Sequence, residues 1–297
     1  MLKRRVYTAL ALLAVILPAL LSSIPWVWPA VSFVLVILAA WEWMRMLKPA
    51  RANVAALATL ASFGLCIIYA FGSGHPLLAE ESGVWSGLIL AACSLAALFW
   101  ICLAPWQLSV LRIDLIPAWT AVLVLCAAWL AVLQLHRSGL GELFSGLALV
   151  WVADIAAYFV GRRFGRTRLA PRISPGKTRE GALGASFAVV GLSFAVYFFG
   201  QPQWPTILTT RWLESLSMSI PRGLAMVLWV LLLLMLVTLS ILGDLYESMV
   251  KREAGVKDSS GLLPGHGGVL DRLDALLPVL PTLVVIDYGF AWISSSR

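Results

Sequence analysis

From Leu224 to Gly243 the chain runs for twenty residues without a charged side chain, and stretches of this kind recur along the whole sequence. A helix needs roughly 20 predominantly apolar residues to cross the hydrocarbon of a bilayer. Within lipid, only helices and closed barrels satisfy their own backbone polar groups. Of the 297 residues, 61% are hydrophobic and 12% charged; a soluble domain carries roughly twice that charged share. The soluble globular class is thereby excluded, and runs of this length select helices.

Hydropathy places about nine spans, near Val6–Ser22, Val27–Leu47, Val54–Phe71, Val84–Leu103, Leu115–Leu135, Gly141–Val160, Ala182–Phe199, Leu224–Gly243 and Ala275–Ile293. The expected fold is an all-α, polytopic integral membrane protein. Lys3, Arg4 and Arg5 precede the first run as they would in a secretory signal, but Pro18 to Trp28 offers no small-residue cleavage site. The first run is therefore expected to remain as a membrane helix. Trp26, Trp28, Trp100, Trp106, Trp204, Trp212 and Trp292 fall near span ends, where interfacial aromatics belong. Cys66, Cys93, Cys102 and Cys126 lie in or beside apolar runs without metal-ligand spacing, and read as small apolar filler.

Lys and Arg placement orients the spans. With the amino terminus inside, 18 of the 22 basic residues face inward, leaving Arg137, Arg211, Arg222 and Arg297 outside. Nine spans then put the amino terminus in the cytoplasm and the carboxyl terminus outside, in a bacterial-type inner membrane. The net charge of +7 is a consequence of this topology and requires no nucleic-acid partner. Residues 1–140 form an amino-terminal group of spans. Residues 141–297 form a second region with inward loops at 161–181 and 244–274.

On this topology Asp154, Asp244, Asp271 and Asp274 come from three spans to the inner interface, while Asp287 lies toward the other face. A charge at mid-membrane costs about 2.5–3.5 kcal/mol on insertion scales, so the gathering of carboxylates at one interface is informative. In the last inward loop Asp244, Glu247, Ser248 and Lys251 share one helical face by spacing, as do Asp271 and Asp274. Between them, Pro264-Gly265-His266-Gly267-Gly268 is a turn without bulk, which a ligand can approach closely. Carboxylates from two segments are an ordinary way to hold Mg²⁺, with water and phosphate completing the shell. A basic loop that merely orients the helices is the competing reading of the same residues.

The earlier loop contains Ser174-Pro175-Gly176-Lys177-Thr178-Arg179. Its Gly-Lys-Thr resembles the end of a Walker A loop, but Pro171 stands where that motif requires glycine and no strand is expected before it. A P-loop is therefore rejected. The turn could still hold phosphates through backbone N–H groups and Lys177, or serve only as a charged connector.

Ser248-Met249-Val250-Lys251-Arg252, then Lys257-Asp258, then Pro264-x-His266-Gly267-Gly268-x-x-Asp271-Arg272-x-Asp274 resembles the signature of the CDP-diacylglycerol synthases (phosphatidate cytidylyltransferases). Upstream, Asp154-x-x-Ala157-Tyr158-x-x-Gly161-Arg162 and Ser174 to Thr178 are similar to segments of the same family. The likeness is strong from about Val150 to Pro278. The first five spans are generic, and the doubled Ser259-Ser260 reads as a local variation of little consequence.

The resemblance implies condensation of CTP with phosphatidic acid to give CDP-diacylglycerol and pyrophosphate, by attack of the lipid phosphate on the α-phosphorus. It implies Mg²⁺ held by Asp244 and Asp271, and leaves room for a second, monovalent cation and for a homodimer. Lys251, Lys257 and Arg272 would neutralise phosphate charge. Lys177 and Arg179, with Ser174 and Thr178, would hold the triphosphate or lipid headgroup. Ser248, Arg252, His266, Gly267 and Gly268 complete the expected substrate site, with His266 the least defined since no proton transfer is required. A cation-coupled transporter is disfavoured because the carboxylates gather at one interface and no repeat is visible. A related CTP-dependent polyprenol or phytol kinase differs in substrate, and an alcohol phosphatidyltransferase would need a D-G-x-x-A-R motif that the sequence lacks.

Overall fold

The computed structural model describes residues 2–47, 51–75, 83–111, 118–200 and 208–295. Lys48, Arg112, Trp204, Arg297 and the start of the expected fifth span at Leu115 lie outside these. The described chain is helical apart from one small hairpin. Its elements are α1 (Leu2–Leu20), α2 (Val27–Met46), α3 (Arg51–Ser73), α4 (Val84–Leu98), α5 (Ala104–Val110), α6 (Ala118–Ser138), α7 (Leu140–Phe164), β1 (Arg168–Ala170), β2 (Ser174–Thr178), α8 (Arg179–Phe199), α9 (Leu208–Ser219), α10 (Arg222–Glu253), α11 (Leu270–Leu273) and α12 (Leu276–Ser295).

Every expected apolar run coincides with a helix. Seven helices among the described residues are long and apolar enough to cross a membrane, and α1 and α12 contribute shorter apolar stretches, Val6–Leu20 and Leu276–Trp292. Leu10, Leu65, Phe187 and Phe199 are among many large apolar side chains left exposed on the outside of the bundle, as expected of a lipid-facing surface. Short α9 was not expected; its mixed composition, LTTRWLESLSMS, keeps it out of any hydropathy window.

The run through α4 and α5 holds a π segment at Phe99–Leu103. Pro105, near the start of α5, supplies the cause: it has no N–H to donate, and its ring crowds the preceding turn, so the helix widens there. The bulge points Phe99 and Trp100 at Tyr246 of α10, with ring centroids at 5.7 and 5.3 Å. The Tyr246 hydroxyl donates to Gln107 Oε1 at 2.7 Å. At 32 residues, α10 is about 48 Å long, well beyond a hydrocarbon core of about 30 Å. Its last turns, which carry Asp244 to Arg252, stay packed against the bundle, with Tyr246, Glu247, Met249 and Val250 buried.

Hydrogen bonds sort the helix ends into two groups. At one end, Thr8 Oγ1 of α1 donates to Pro264 O at 2.8 Å, and Arg45 of α2 donates to Ser259 O at 2.8 Å. At the other, His136 Nε2 lies 3.0 Å from Leu20 O, Trp85 Nε1 donates to Gln134 Oε1 at 3.0 Å, and Arg211 joins Glu142 to Asp287. Successive long helices thus run up and down. Trp26, Trp106 and Trp292 are exposed, but Trp28, Trp100 and Trp212 are buried. The aromatic-belt reading is corrected for these three, whose rings pack inside the bundle. The four cysteines form no disulfide.

Candidate active site

Within the inward loop expected at 161–181, residues 168–178 fold into an antiparallel hairpin with Arg168 opposite Thr178 and Ala170 opposite Ser174. The expectation that no strand precedes Gly176-Lys177-Thr178 is corrected: β1 does, and the tripeptide itself ends β2. A Pro-Gly pair within β2 conceals the strand from propensity, and tertiary contacts impose it. Arg168 donates to Pro175 O, and Arg252 Nε of α10 donates to Ile173 O at 3.4 Å. Thr178 leaves the hairpin as the N-cap of α8, its Oγ1 accepting from Gly181 N at 3.1 Å. This cap fixes the direction of Lys177, one residue earlier.

Lys177 Nζ lies 2.7 Å from Asp244 Oδ2, so the two separate segments read as phosphate- and metal-binding meet directly. Both line a cavity of about 650 Å³ enclosed by α7, the hairpin, α10 and α11, together with Asp154, Asp271, Arg272 and Asp274. Thr178 also lines it, as do Tyr158 and Arg162, which are joined by a 2.9 Å hydrogen bond. All four expected interfacial aspartates therefore border one space. Asp287 is remote from it, paired with Arg211 and accepting from Trp212 Nε1 at 3.3 Å.

Asp271 is held from every side. Its Oδ1 accepts from Lys251 Nζ at 2.6 Å. Its Oδ2 accepts from Gly268 N at 2.7 Å, Ser259 Oγ at 3.0 Å and Ser259 N at 3.1 Å. Burial opposes the charge, but the Glu247 and Lys251 side chains and the Gly268 amide outweigh it and hold this carboxyl well below the ordinary carboxylate range. Asp274 shifts the other way: burial, then the negative charge of Asp244, push its carboxyl above the ordinary carboxylate range. Ala275 N donates to its Oδ1 at 2.8 Å.

The glycine turn owes its shape to close approach. Gly267 has φ +86°, and a Cβ there would stand 2.7 Å from Asp271 Oδ2. His266 shapes the turn through its backbone: its N–H donates to Leu263 O at 2.8 Å, and its carbonyl accepts from Arg272 Nε at 3.1 Å and Nη2 at 2.5 Å. The His266 Nδ1 is buried without a hydrogen-bond partner.

The remaining expected residues do not border the cavity. Lys251 stands behind Asp271, also 2.5 Å from Glu247 Oε2, and supports it. Ser248 Oγ donates weakly to Asp244 Oδ1 at 3.4 Å. Arg252 fastens the hairpin, Ser174 opens β2, and Lys257 and Arg179 are exposed. Two readings of the sequence are corrected. Ser259 and Ser260 are buried, and both donate to Glu42 of α2. The pair is thus integral to the loop, and the first spans are not generic, because Glu42 belongs to them.

The donor chemistry suits a hard divalent cation: Asp154, Asp244, Asp271 and Asp274 border one cavity, and Asp154 and Asp274 lie in the field of both Asp244 and Lys177. Among the described residues no three carboxylate, His or Cys side chains stand close enough to enclose an ion. That arrangement fits Mg²⁺, which usually takes one or two carboxylates and leaves its other positions to water and substrate phosphates.

Residues 3–288 match the model of the cytidylyltransferase family. The chain is similar to a phosphatidate cytidylyltransferase of Haemophilus influenzae, 33% identical over 296 residues, which covers 95% of this chain and 96% of the relative. It is similar to one of Pseudomonas aeruginosa, 33% identical over 308 residues, with 98% and 99% covered. One of Staphylococcus aureus is 31% identical over 291 residues, with 96% and 98% covered.

Proposed function

The chain belongs to the cytidylyltransferase family, and from that membership and the cavity we propose that it is a phosphatidate cytidylyltransferase, converting CTP and phosphatidic acid to CDP-diacylglycerol and pyrophosphate. The observation that carries the reading is the Lys177–Asp244 contact at 2.7 Å, which joins an ammonium from the hairpin to a carboxylate from α10 inside a cavity that α11 also borders. A phosphate-transfer site needs both signs of charge at close range: cations for the phosphates and oxygen anions for the metal.

A phosphatidate oxygen attacks the α-phosphorus of CTP, the new P–O bond forms, and the bond to the β-phosphate oxygen breaks to release pyrophosphate. The attacking oxygen is already anionic, so no side chain has to remove a proton. Asp244 and Asp271 would hold Mg²⁺, which when bound neutralises charge on the phosphates. Lys177 and Arg272 reach the cavity with positive charge for the triphosphate and the lipid headgroup. Lys251 keeps Asp271 oriented through its 2.6 Å hydrogen bond. Thr178, as the cap of α8, keeps β2 and Lys177 in register.

The membrane arrangement follows the same reading. Nine spans, with the amino terminus cytoplasmic and the carboxyl terminus outside, bring the cavity to the cytoplasmic face of a bacterial-type inner membrane. CTP would enter from the water and the lipid from the bilayer. The test is formation of labelled CDP-diacylglycerol by the purified chain in mixed micelles. Product should need both CTP and phosphatidic acid. No product with both present, or CTP-dependent phosphorylation of a polyprenol in place of CDP-diacylglycerol formation, overturns the proposal.

A further inference from the structure

The signature loop is built around a carboxylate that lies outside the signature. Glu42, in the last turns of α2, is 0% exposed. It accepts hydrogen bonds from four groups more than 210 positions later in the chain. Its Oε1 accepts from Val269 N at 3.0 Å and from the Ser260 hydroxyl. Its Oε2 accepts from Leu270 N at 2.7 Å and from Ser259 Oγ at 2.9 Å. One turn on, Arg45 Nη2 donates to Ser259 O at 2.8 Å.

The arrangement satisfies donors that would otherwise be stranded. Val269 is the N-cap of α11 and Leu270 its first residue, where the first N–H groups of a helix have no partner within it, and both residues are buried. Glu42 supplies those partners from another helix. The same contact accounts for Gly268: a Cβ there would stand 1.9 Å from Ser259 Oγ and 2.6 Å from Glu42 Oε2. Ser259 in turn gives its backbone N–H to Asp271 Oδ2 at 3.1 Å, and its single hydroxyl hydrogen is shared between Glu42 Oε2 at 2.9 Å and Asp271 Oδ2 at 3.0 Å. A continuous chain of contacts therefore runs from α2 through Ser259 to the aspartate that borders the cavity.

We propose that Glu42 is a positioning residue for transfer: it clamps the 259–270 loop to α2 and thereby fixes where Asp271 stands. The claim rests on the functional reading above for its kinetic consequence, but its structural consequence is independent of that reading. Each Glu42 oxygen faces one hydroxyl and one backbone N–H. A hydroxyl can turn to accept; an N–H cannot. Whichever way the amide of Glu42→Gln is turned, its –NH₂ meets a backbone donor, so a substitution of equal volume breaks the clamp.

The test combines hydrogen exchange with kinetics on the full-length protein in micelles. Glu42→Gln should speed exchange in the 257–272 segment while α6 and α7 keep wild-type protection. It should lower kcat about 10- to 100-fold, as loss of an outer partner of a metal ligand does, with KM for CTP changed less than about threefold on the same outer-partner logic. Ser260→Ala removes one of the four donors and leaves both backbone bonds, so it should show a smaller change of the same kind and keeps the test open should Glu42→Gln not fold. Unchanged exchange at 257–272 in both variants, or a uniform loss of protection throughout the bundle, overturns the clamp. Wild-type protein that turns over no substrate while Glu42→Gln still loosens the loop would instead remove the functional reading and leave the clamp standing.

Discussion

Lys251 Nζ lies 2.6 Å from Asp271 Oδ1, joining the last turns of α10 to α11 across a separation of 20 positions in sequence. The loop between them can be long and glycine-rich because its two ends are tied side chain to side chain. Lys251→Met keeps much of the length and loses the ammonium, leaving Glu247 and Asp271 facing each other. Activity should fall by about 10- to 100-fold, the usual cost of losing an outer partner of a metal ligand. Arginine at this position should rescue only partly, since its planar fork does not reproduce a point contact to two carboxylates. Wild-type turnover of Lys251→Met in the lipid assay would contradict this role.

Lys177 contributes through charge rather than packing. A hydrogen bond to a charged group contributes about 1.5–3 kcal/mol, so Lys177→Ala should lower kcat/KM roughly 10- to 150-fold on the same figure. Equal kinetics for CTP and phosphatidic acid in wild type and variant would return the hairpin to the role of a connector.

Asp287 separates stability from catalysis. It pairs with Arg211 at the end of the bundle away from the cavity, so Asp287→Asn should leave turnover within about twofold while weakening the tie between α9 and α12 by roughly 1–3 kcal/mol. Thermal unfolding in micelles and the lipid assay, run on the same preparation, check both halves. A large loss of turnover without loss of stability would place Asp287 in the reaction.

The helices could be read from the sequence because lipid demands long apolar runs, and α2, α3, α6, α7, α8 and α10 fall where hydropathy places them. The aspartates of the cavity were legible for the same reason: a charge at a span end stands out against 61% hydrophobic composition. Glu42 stood out equally, as a carboxylate inside the run 27–47, and that was the available signal. Its meaning was hidden because its partners lie more than 210 positions away and two of them are backbone N–H groups, which carry no sequence mark. The hairpin was hidden because Pro175 and Gly176 oppose strand propensity, and contacts from Arg168 and Arg252 override it.

The proposed orientation has a direct check. Gly261 is exposed in the signature loop, with open space where a side chain would go, and Ser138 is exposed at the opposite end of the bundle. Gly261→Cys should react with an impermeant thiol reagent only from the cytoplasmic side, and Ser138→Cys only from the other. Both reacting from one side would contradict the up-and-down arrangement with nine spans.

The central claim is that Asp244 and Asp271 together hold the metal that the transfer requires. Asparagine keeps the shape of aspartate and removes the anionic oxygen that a hard cation needs. The measurement is CTP- and phosphatidate-dependent pyrophosphate release across a Mg²⁺ titration, for wild type, Asp244→Asn and Asp271→Asn, each verified as folded. Both variants should lose at least about 10²–10³ in turnover, the cost of removing a preorganised electrostatic group, and should need more Mg²⁺ for whatever rate remains. Near-wild-type turnover with an unchanged Mg²⁺ dependence in either variant would contradict the account.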